Sequence, residues 1–167
     1  RDLLDELRSI PGYAVSFEIL KAEDYGVPSM RKRIIIVGSQ RAGSFKFPEP
    51  THRSVANQGN LLSNNALLPF VSVAEAISDL NFPVAPGGKV AHYERPPESS
   101  FQEWARAGSR VLANHETTRH SERVRRVFSL IPPGCGPEVL PPEIRSKKDG
   151  LIRLAPDALC RAILSAP

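Results

Sequence analysis

Leu3, Leu4, Leu7 and Ile10 recur at helical spacing with Asp2, Asp5, Glu6 and Arg8 between them. This predicts an amphipathic helix, stopped by Pro11-Gly12. Tyr13, Val15, Phe17 and Ile19 then alternate with Ala14, Ser16, Glu18 and Leu20, the period-two pattern of a strand. Ala22 to Tyr25 reads as one helical turn before Gly26-Val27-Pro28. Ile34-Ile35-Ile36-Val37 is a continuous β-branched run ended by Gly38. Such a run suits a strand covered on both faces, as in the sheet of an α/β protein. Two strands alone cannot be covered that way. The pattern therefore predicts that residues 1–40 contribute a helix and two adjacent strands to the edge of a larger, mixed sheet. The opening on Arg1, already inside a helical pattern, reads as a fragment.

From Phe45 the pattern breaks up. The chain has 16 prolines, about twice the usual share of roughly 5%, and most fall after this point. Short helices are predicted between them. Ser72-Val73-Ala74-Glu75 is a capping box opening a helix to about Leu80. Ser100 is placed as the cap of a helix from Phe101 to Ala107, with Gly108 at its end. Ser121 caps a third, in which Val124, Val127 and Phe128 form the apolar stripe and Arg123, Arg125 and Arg126 lie mostly elsewhere. The change of character puts a boundary near residues 41–50, dividing the chain into residues 1–44 and 45–167.

Composition adds exclusions more than identity. A formal charge of +4 permits a polyanionic partner without establishing one. No apolar run approaches the ~20 residues of a membrane span, so no membrane partner and a cytoplasmic location are expected. The 2 cysteines, Cys135 and Cys160, make neither a disulfide framework nor a zinc site. Cys135 sits in Pro133-Gly134-Cys135-Gly136-Pro137, read as a flexible exposed turn; Cys160 reads as a small core hydrophobe. His52, His92, His115 and His120 lack metal-ligand spacing, and no metal is expected.

The chemistry concentrates at Tyr25-Gly26-Val27-Pro28-Ser29-Met30-Arg31-Lys32-Arg33. At strand spacing Arg31 and Arg33 fall on one side. Two guanidinium groups at the mouth of a sheet make an anion or carbonyl clamp. They suit equally a basic strand end paired with nearby carboxylates, and the nonapeptide leaves both readings open.

The wider context resembles the DNA (cytosine-5)-methyltransferase family. Gly12-Tyr13, then Ala22-Glu23-Asp24-Tyr25-Gly26-Val27-Pro28, Arg31-x-Arg33 and Ile36-Val37-Gly38 follow the family's order through its motif VIII, written A-x-D-Y-G-V-P-Q-x-R-x-R. Phe47-Pro48-Glu49-Pro50-Thr51-His52 is similar to the F-P-x-P-T-H linker, and Val73 to Leu80 to the V-x-x-A-I-x-D-L helix. Asn114-His115, Arg126, Ile131-Pro132-Pro133-Gly134, Leu140-Pro141 and Arg153-Leu154-Ala155-Pro156-Asp157 resemble the body and closing segment of the target-recognition domain. Ser29 stands where the family has Gln, Cys135 where Gly is common and Ala162 where Thr is usual. The Gly-rich cofactor loop, the Pro-Cys nucleophile motif and the Glu-Asn-Val acid motif are not in these 167 residues.

The resemblance implies an edge of a Rossmann-like methyltransferase sheet in residues 1–44, followed by an irregular, Pro-rich α+β target-recognition domain. It implies a complete enzyme that flips cytosine out of duplex DNA. A thiolate adds to carbon 6, an acid steadies the ring nitrogen, and carbon 5 takes the methyl of S-adenosylmethionine. By position, Arg33 meets the cytosine carbonyl and offsets charge developing on the ring, with Arg31 supporting or facing phosphate. This chain alone is expected to bind no cofactor and to be inactive. Candidate DNA contacts are Ser29, Gly134 and Gly136, whose backbones allow close approach, and the basic run Arg145, Lys147 and Lys148 with Arg153. The other partner is the remainder of the catalytic domain, in the same chain or a separate subunit of a split enzyme. The alternative is a non-catalytic or degenerate DNA-binding or assembly module.

Overall fold

The computed structural model describes residues 2–40, 43, 45–54, 67–82, 84–109, 111–145 and 151–162. It is a mixed α/β structure with small sheets, divided into two compact units, Arg1–Phe70 and Val71–Pro167.

In the first unit, α1 (Leu3–Arg8) carries Asp5 and Glu6 in its first turn and Arg8 in its last, the charge order that suits a helix dipole. Gly12, at φ +80°, turns the chain into β1 (Ala14–Lys21). A 3₁₀ turn, Ala22–Tyr25, and a two-residue strand, β2 (Ser29–Met30), lead to β3 (Lys32–Ser39). β1 and β3 pair antiparallel from Ala14↔Ser39 to Lys21↔Lys32. The register puts Val15, Phe17, Ile19, Ile34, Ile36 and Gly38 on one face, because side chains alternate along a strand. Leu7 and Ile10 lie over one end of that face, around a 290 Å³ cavity lined also by Tyr13, Val15, Ile36 and Gly38. Beyond α1 the face is open: Ile19 is 63% exposed and Ile34 53%. The continuous apolar run is thus a strand, as expected, but not one covered on both faces: Ile35, on the face opposite Ile34, is 41% exposed. On the opposite face, Phe45 donates its backbone N–H to Ser16 Oγ (3.0 Å). β4 (His52–Arg53) and β5 (Leu68–Pro69) form a short parallel pair.

The second unit rests on few buried apolar side chains, Val73, Ile131 and Leu140, and on buried polar groups, Asp79 and Gln102. α2 (Val73–Ile77) opens on the predicted capping box, with Ser72 and Glu75 each bonding the other's backbone N–H, and continues as a 3₁₀ turn, Ser78–Leu80. α3 (Ser100–Arg106) is capped by Ser99, not Ser100, which is a correction of one position. Ser99 is the extended residue whose Oγ accepts from Gln102 N–H, and its own hydroxyl donates to Glu75 carbonyl, which fixes it. Gln102 bridges the two helices: its amide donates to Ala74 carbonyl and Ser78 Oγ, and its Oε1 accepts from Glu98 N–H. β6 (Lys89–Val90) and β7 (His115–Glu116) pair antiparallel, with Lys89 bonded to Glu116 at 2.8 Å. α4 (Glu122–Leu130), capped by Ser121, and a two-residue strand, β8 (Cys160–Arg161), complete the unit. The closing segment docks on the start of α2, where Val73 N–H bonds Ala158 carbonyl and Ala74 N–H bonds Pro156 carbonyl.

Candidate functional site

The motif segment is a built turn. Gly26 ends the 3₁₀ helix at φ +83°, a left-handed conformation in which glycine alone is unstrained. A Cβ at Gly26 would meet His52 Cε1 at 2.6 Å, so the imidazole lies directly against the backbone. His52 is held in turn by Thr51, whose Oγ1 is 2.8 Å from Nδ1 and whose N–H bonds Asp24 carbonyl. Tyr25 OH donates to Pro48 carbonyl at 2.9 Å. Partial burial, then Glu18, Asp24 and Glu49, push the phenol pKa above its ordinary value, which keeps it the protonated donor. Glu23, 8% exposed, accepts Arg31 N–H, while Ala22 N–H bonds Arg31 carbonyl. The backbone of Arg31 is therefore fixed on both sides.

Both motif arginines are exposed. Arg31 stands at the entry to β3, and Arg33 is inside it, opposite Leu20. Among the described residues, Arg33 Nη1 donates only to the neighbouring Lys32 carbonyl, at 2.7 Å. Among the described residues neither guanidinium has a carboxylate within 4.0 Å. The arrangement can present two cationic forks to an incoming carbonyl or anion. Ser29 is half-buried beside them, with its N–H on Val27 carbonyl. Glu23 and His52 are the positioning residues that the sequence does not single out. Glu23 fills the variable position of the motif, and the Thr51-His52 contact crosses 26 residues to Gly26.

The second set of candidates lies in the other unit. Gly134 has φ +79° and donates to Arg153 carbonyl, while Arg153 N–H bonds Cys135 carbonyl. The Pro133–Pro137 segment is therefore pinned; Pro133 and Gly134 are exposed, as expected, and Gly136 is buried. A Cβ at Gly136 would meet Leu151 carbonyl at 2.9 Å, so this glycine serves internal packing. Arg153 Nη1 donates to Ile131 carbonyl at 3.0 Å. Arg145 Nη2 bridges the carbonyls of Glu138 and Leu140 at 2.8 and 3.1 Å. Glu138 accepts from Gly136 N–H, and its own backbone N–H together with that of Gly136 lowers its pKa. Lys147 and Lys148 lie outside the described residues. Cys135 and Cys160 are free thiols, and among the described residues no cluster of His, Cys, Asp or Glu could hold a metal. No helix of the described residues is long and apolar enough to cross a membrane.

The glycine turn thus places Arg31 at the entry to β3 and Arg33 inside it, both exposed and neither with a carboxylate within 4.0 Å among the described residues. The family model for C-5 cytosine-specific DNA methylase matches residues 1–87, from α1 through this turn and α2. The chain is 31% identical over 151 residues to the Type II methyltransferase M.DdeI of Desulfomicrobium norvegicum, covering 90% of this chain and 34% of that protein. It is 30% identical over 134 residues to M.AgeI of Thalassovita gelatinovora (74% and 31%) and 44% over 70 residues to M.AquIA of Picosynechococcus (41% and 28%). The chain belongs to the C-5 cytosine-specific DNA methylase family. It spans about a third of the length of the curated relatives it matches.

Proposed function

We propose that this chain is the part of a cytoplasmic DNA (cytosine-5)-methyltransferase that carries the motif VIII arginines and the target-recognition domain. In this reading it binds duplex DNA and helps hold a flipped cytosine. The observation that carries the proposal is the state of Arg31 and Arg33: fixed backbone, exposed guanidinium, no carboxylate partner among the described residues. Arg33 donates to the cytosine carbonyl and stabilises negative charge as it develops on the ring. Arg31 holds a second donor fork alongside. S-adenosylmethionine supplies the methyl group when bound. We assign it no residue of this chain; the cavity under α1 is lined by Leu7, Ile10, Tyr13, Val15, Ile36 and Gly38. In the proposal, the cofactor pocket and the nucleophile belong to the remainder of the catalytic domain, joined to this chain or associated with it.

The test is Arg33→Ala in the complete enzyme. Removing one donor that acts on developing charge lowers the methylation rate by a factor on the order of a hundred or more. DNA affinity should fall much less, and Arg33→Lys should restore little, because the planar fork is lost. Equal losses of rate and affinity would show Arg33 to be a phosphate contact instead.

A further inference from the structure

The second unit distributes its cations unequally. Arg145 and Arg153 give guanidinium donors to the carbonyls of Glu138, Leu140 and Ile131, all in the loop after α4. The arginines of α4 itself do no such work. Val124, Val127 and Phe128 are its half-buried positions, and Arg123, Arg125 and Arg126 are exposed. At 3.6 residues per turn these three span an arc of about 160° that contains one carboxylate, Glu122. Among the described residues no α4 arginine has a carboxylate within 4.0 Å or a side-chain hydrogen bond.

Helix physics disfavours that placement. Arg123 and Arg126 are like-charged neighbours at i, i+3. Arg123 and Arg125 lie in the first turn, where the exposed amide dipoles favour anions. The last turn, where cations would help, has none. Arg123 and Arg126 line a cavity with Glu122, Val127, Leu130 and Ile144, but the three charges do not serve the helix, and a dense anion would relieve both penalties.

We propose that the Arg123, Arg125 and Arg126 face of α4 is the phosphate-contact surface of this unit and engages the backbone of duplex DNA, while Arg145 and Arg153 brace the loop beside it. This rests on reading the chain as part of a DNA methyltransferase. Duplex DNA fits because it carries one negative charge per ~1.7 Å of axis, and guanidinium forks match phosphate oxygens in pairs.

In the complete enzyme, affinity for a duplex of arbitrary sequence is measured across a salt series. Each phosphate contact contributes about 0.9 to the slope of log affinity against log salt, so the Arg123→Gln, Arg125→Gln, Arg126→Gln triple variant should lose about 2.7. The matching lysine triple keeps the slope. Should the glutamine triple fail to fold, Arg125→Gln alone should lose about 0.9. A folded glutamine variant with the parent's slope overturns the α4 assignment alone. A parent enzyme with no duplex affinity overturns this assignment and the methyltransferase reading together. Binding of polyglutamate by the parent and not the triple variant, with DNA binding unaltered, would give the face to an acidic protein segment and overturn the DNA assignment.

Discussion

The motif arginines of the first unit and the bracing arginines of the second have opposite fates. In the motif turn the backbone is held by everything around it, and the guanidinium groups of Arg31 and Arg33 stay exposed. In the second unit Arg106, Arg145 and Arg153 hold the backbone themselves: Arg106 reaches Asp79 and Arg95 carbonyl, and the other two cross-brace the loop after α4. The difference follows from how each region is stabilised. The first has a glycine turn, a ladder and a stacked imidazole, so its cations need not be structural. The second has three buried apolar side chains among its described residues and uses charge-assisted hydrogen bonds where packing is thin.

Arg106 gives the largest expected effect and the sharpest test of this contrast. Its Nε and Nη2 both address Asp79 Oδ2, and its guanidinium lies 3.9 Å from the Tyr93 ring centroid. The two side chains are only 15% and 4% exposed, and Asp79 Oδ1 is buried without a partner among the described residues. Arg106→Ala leaves a buried carboxylate uncompensated, which costs about 3–5 kcal/mol. A urea titration should show that loss, whereas Arg33→Ala, at an exposed position, should stay within about 0.5 kcal/mol of the parent. Comparable losses at both positions would end the comparison.

How far each region could be read from the chain depends on the reach of its interactions. Periodicity and caps identify α1, β1, β3, α2 and α4 because those signals are local. They identify the motif turn because glycine and proline set backbone angles where they stand. The adjacent serines Ser99 and Ser100 satisfy the capping rule equally, and the choice between them comes from Glu75, a residue of another helix. The internal contacts of Gly136 and Arg153 are not legible in the sequence because Leu151 carbonyl and Ile131 carbonyl are 15 and 22 residues away. The run Ile34–Val37 is correctly a strand, but the expected two-sided cover is not seen among the described residues. That Arg31 and Arg33 have no carboxylate partner among the described residues is an absence, which no motif encodes.

Gly26→Ala probes the other side of the contrast, with a smaller effect. Forcing an L-residue into the left-handed region costs about 1–2 kcal/mol. The new methyl must also displace His52, now 2.6 Å from where it would sit. These contributions separate in a double-mutant cycle with His52→Ala, which relieves the clash and leaves the backbone strain. Thermal unfolding should show partial recovery in the double variant. Full recovery would mean that the turn tolerates alanine and that His52 alone made glycine necessary; no recovery would mean that the imidazole moves freely and fixes nothing.

The capping box of α2 gives the smallest effect, and its pH dependence has a definite sign. Backbone and side-chain hydrogen bonds from Ser72 lower the pKa of Glu75, and burial opposes them weakly. A carboxylate whose folded pKa lies below its unfolded value stabilises the fold once both forms are ionised. That contribution is therefore complete well above about pH 4.3, the usual glutamate value, and disappears as pH falls through the lowered folded value. Ser72→Ala removes the hydroxyl that both accepts Glu75 N–H and donates to its carboxylate, at a cost of about 1 kcal/mol at neutral pH. The stability gap between parent and variant should narrow in acid as Glu75 protonates in both. A gap that stays constant down to pH 3 would assign the whole effect to the serine's cap of the helix and none to the charge on Glu75. A gap that widens in acid would reverse the sign and show that Glu75 is held neutral in the fold.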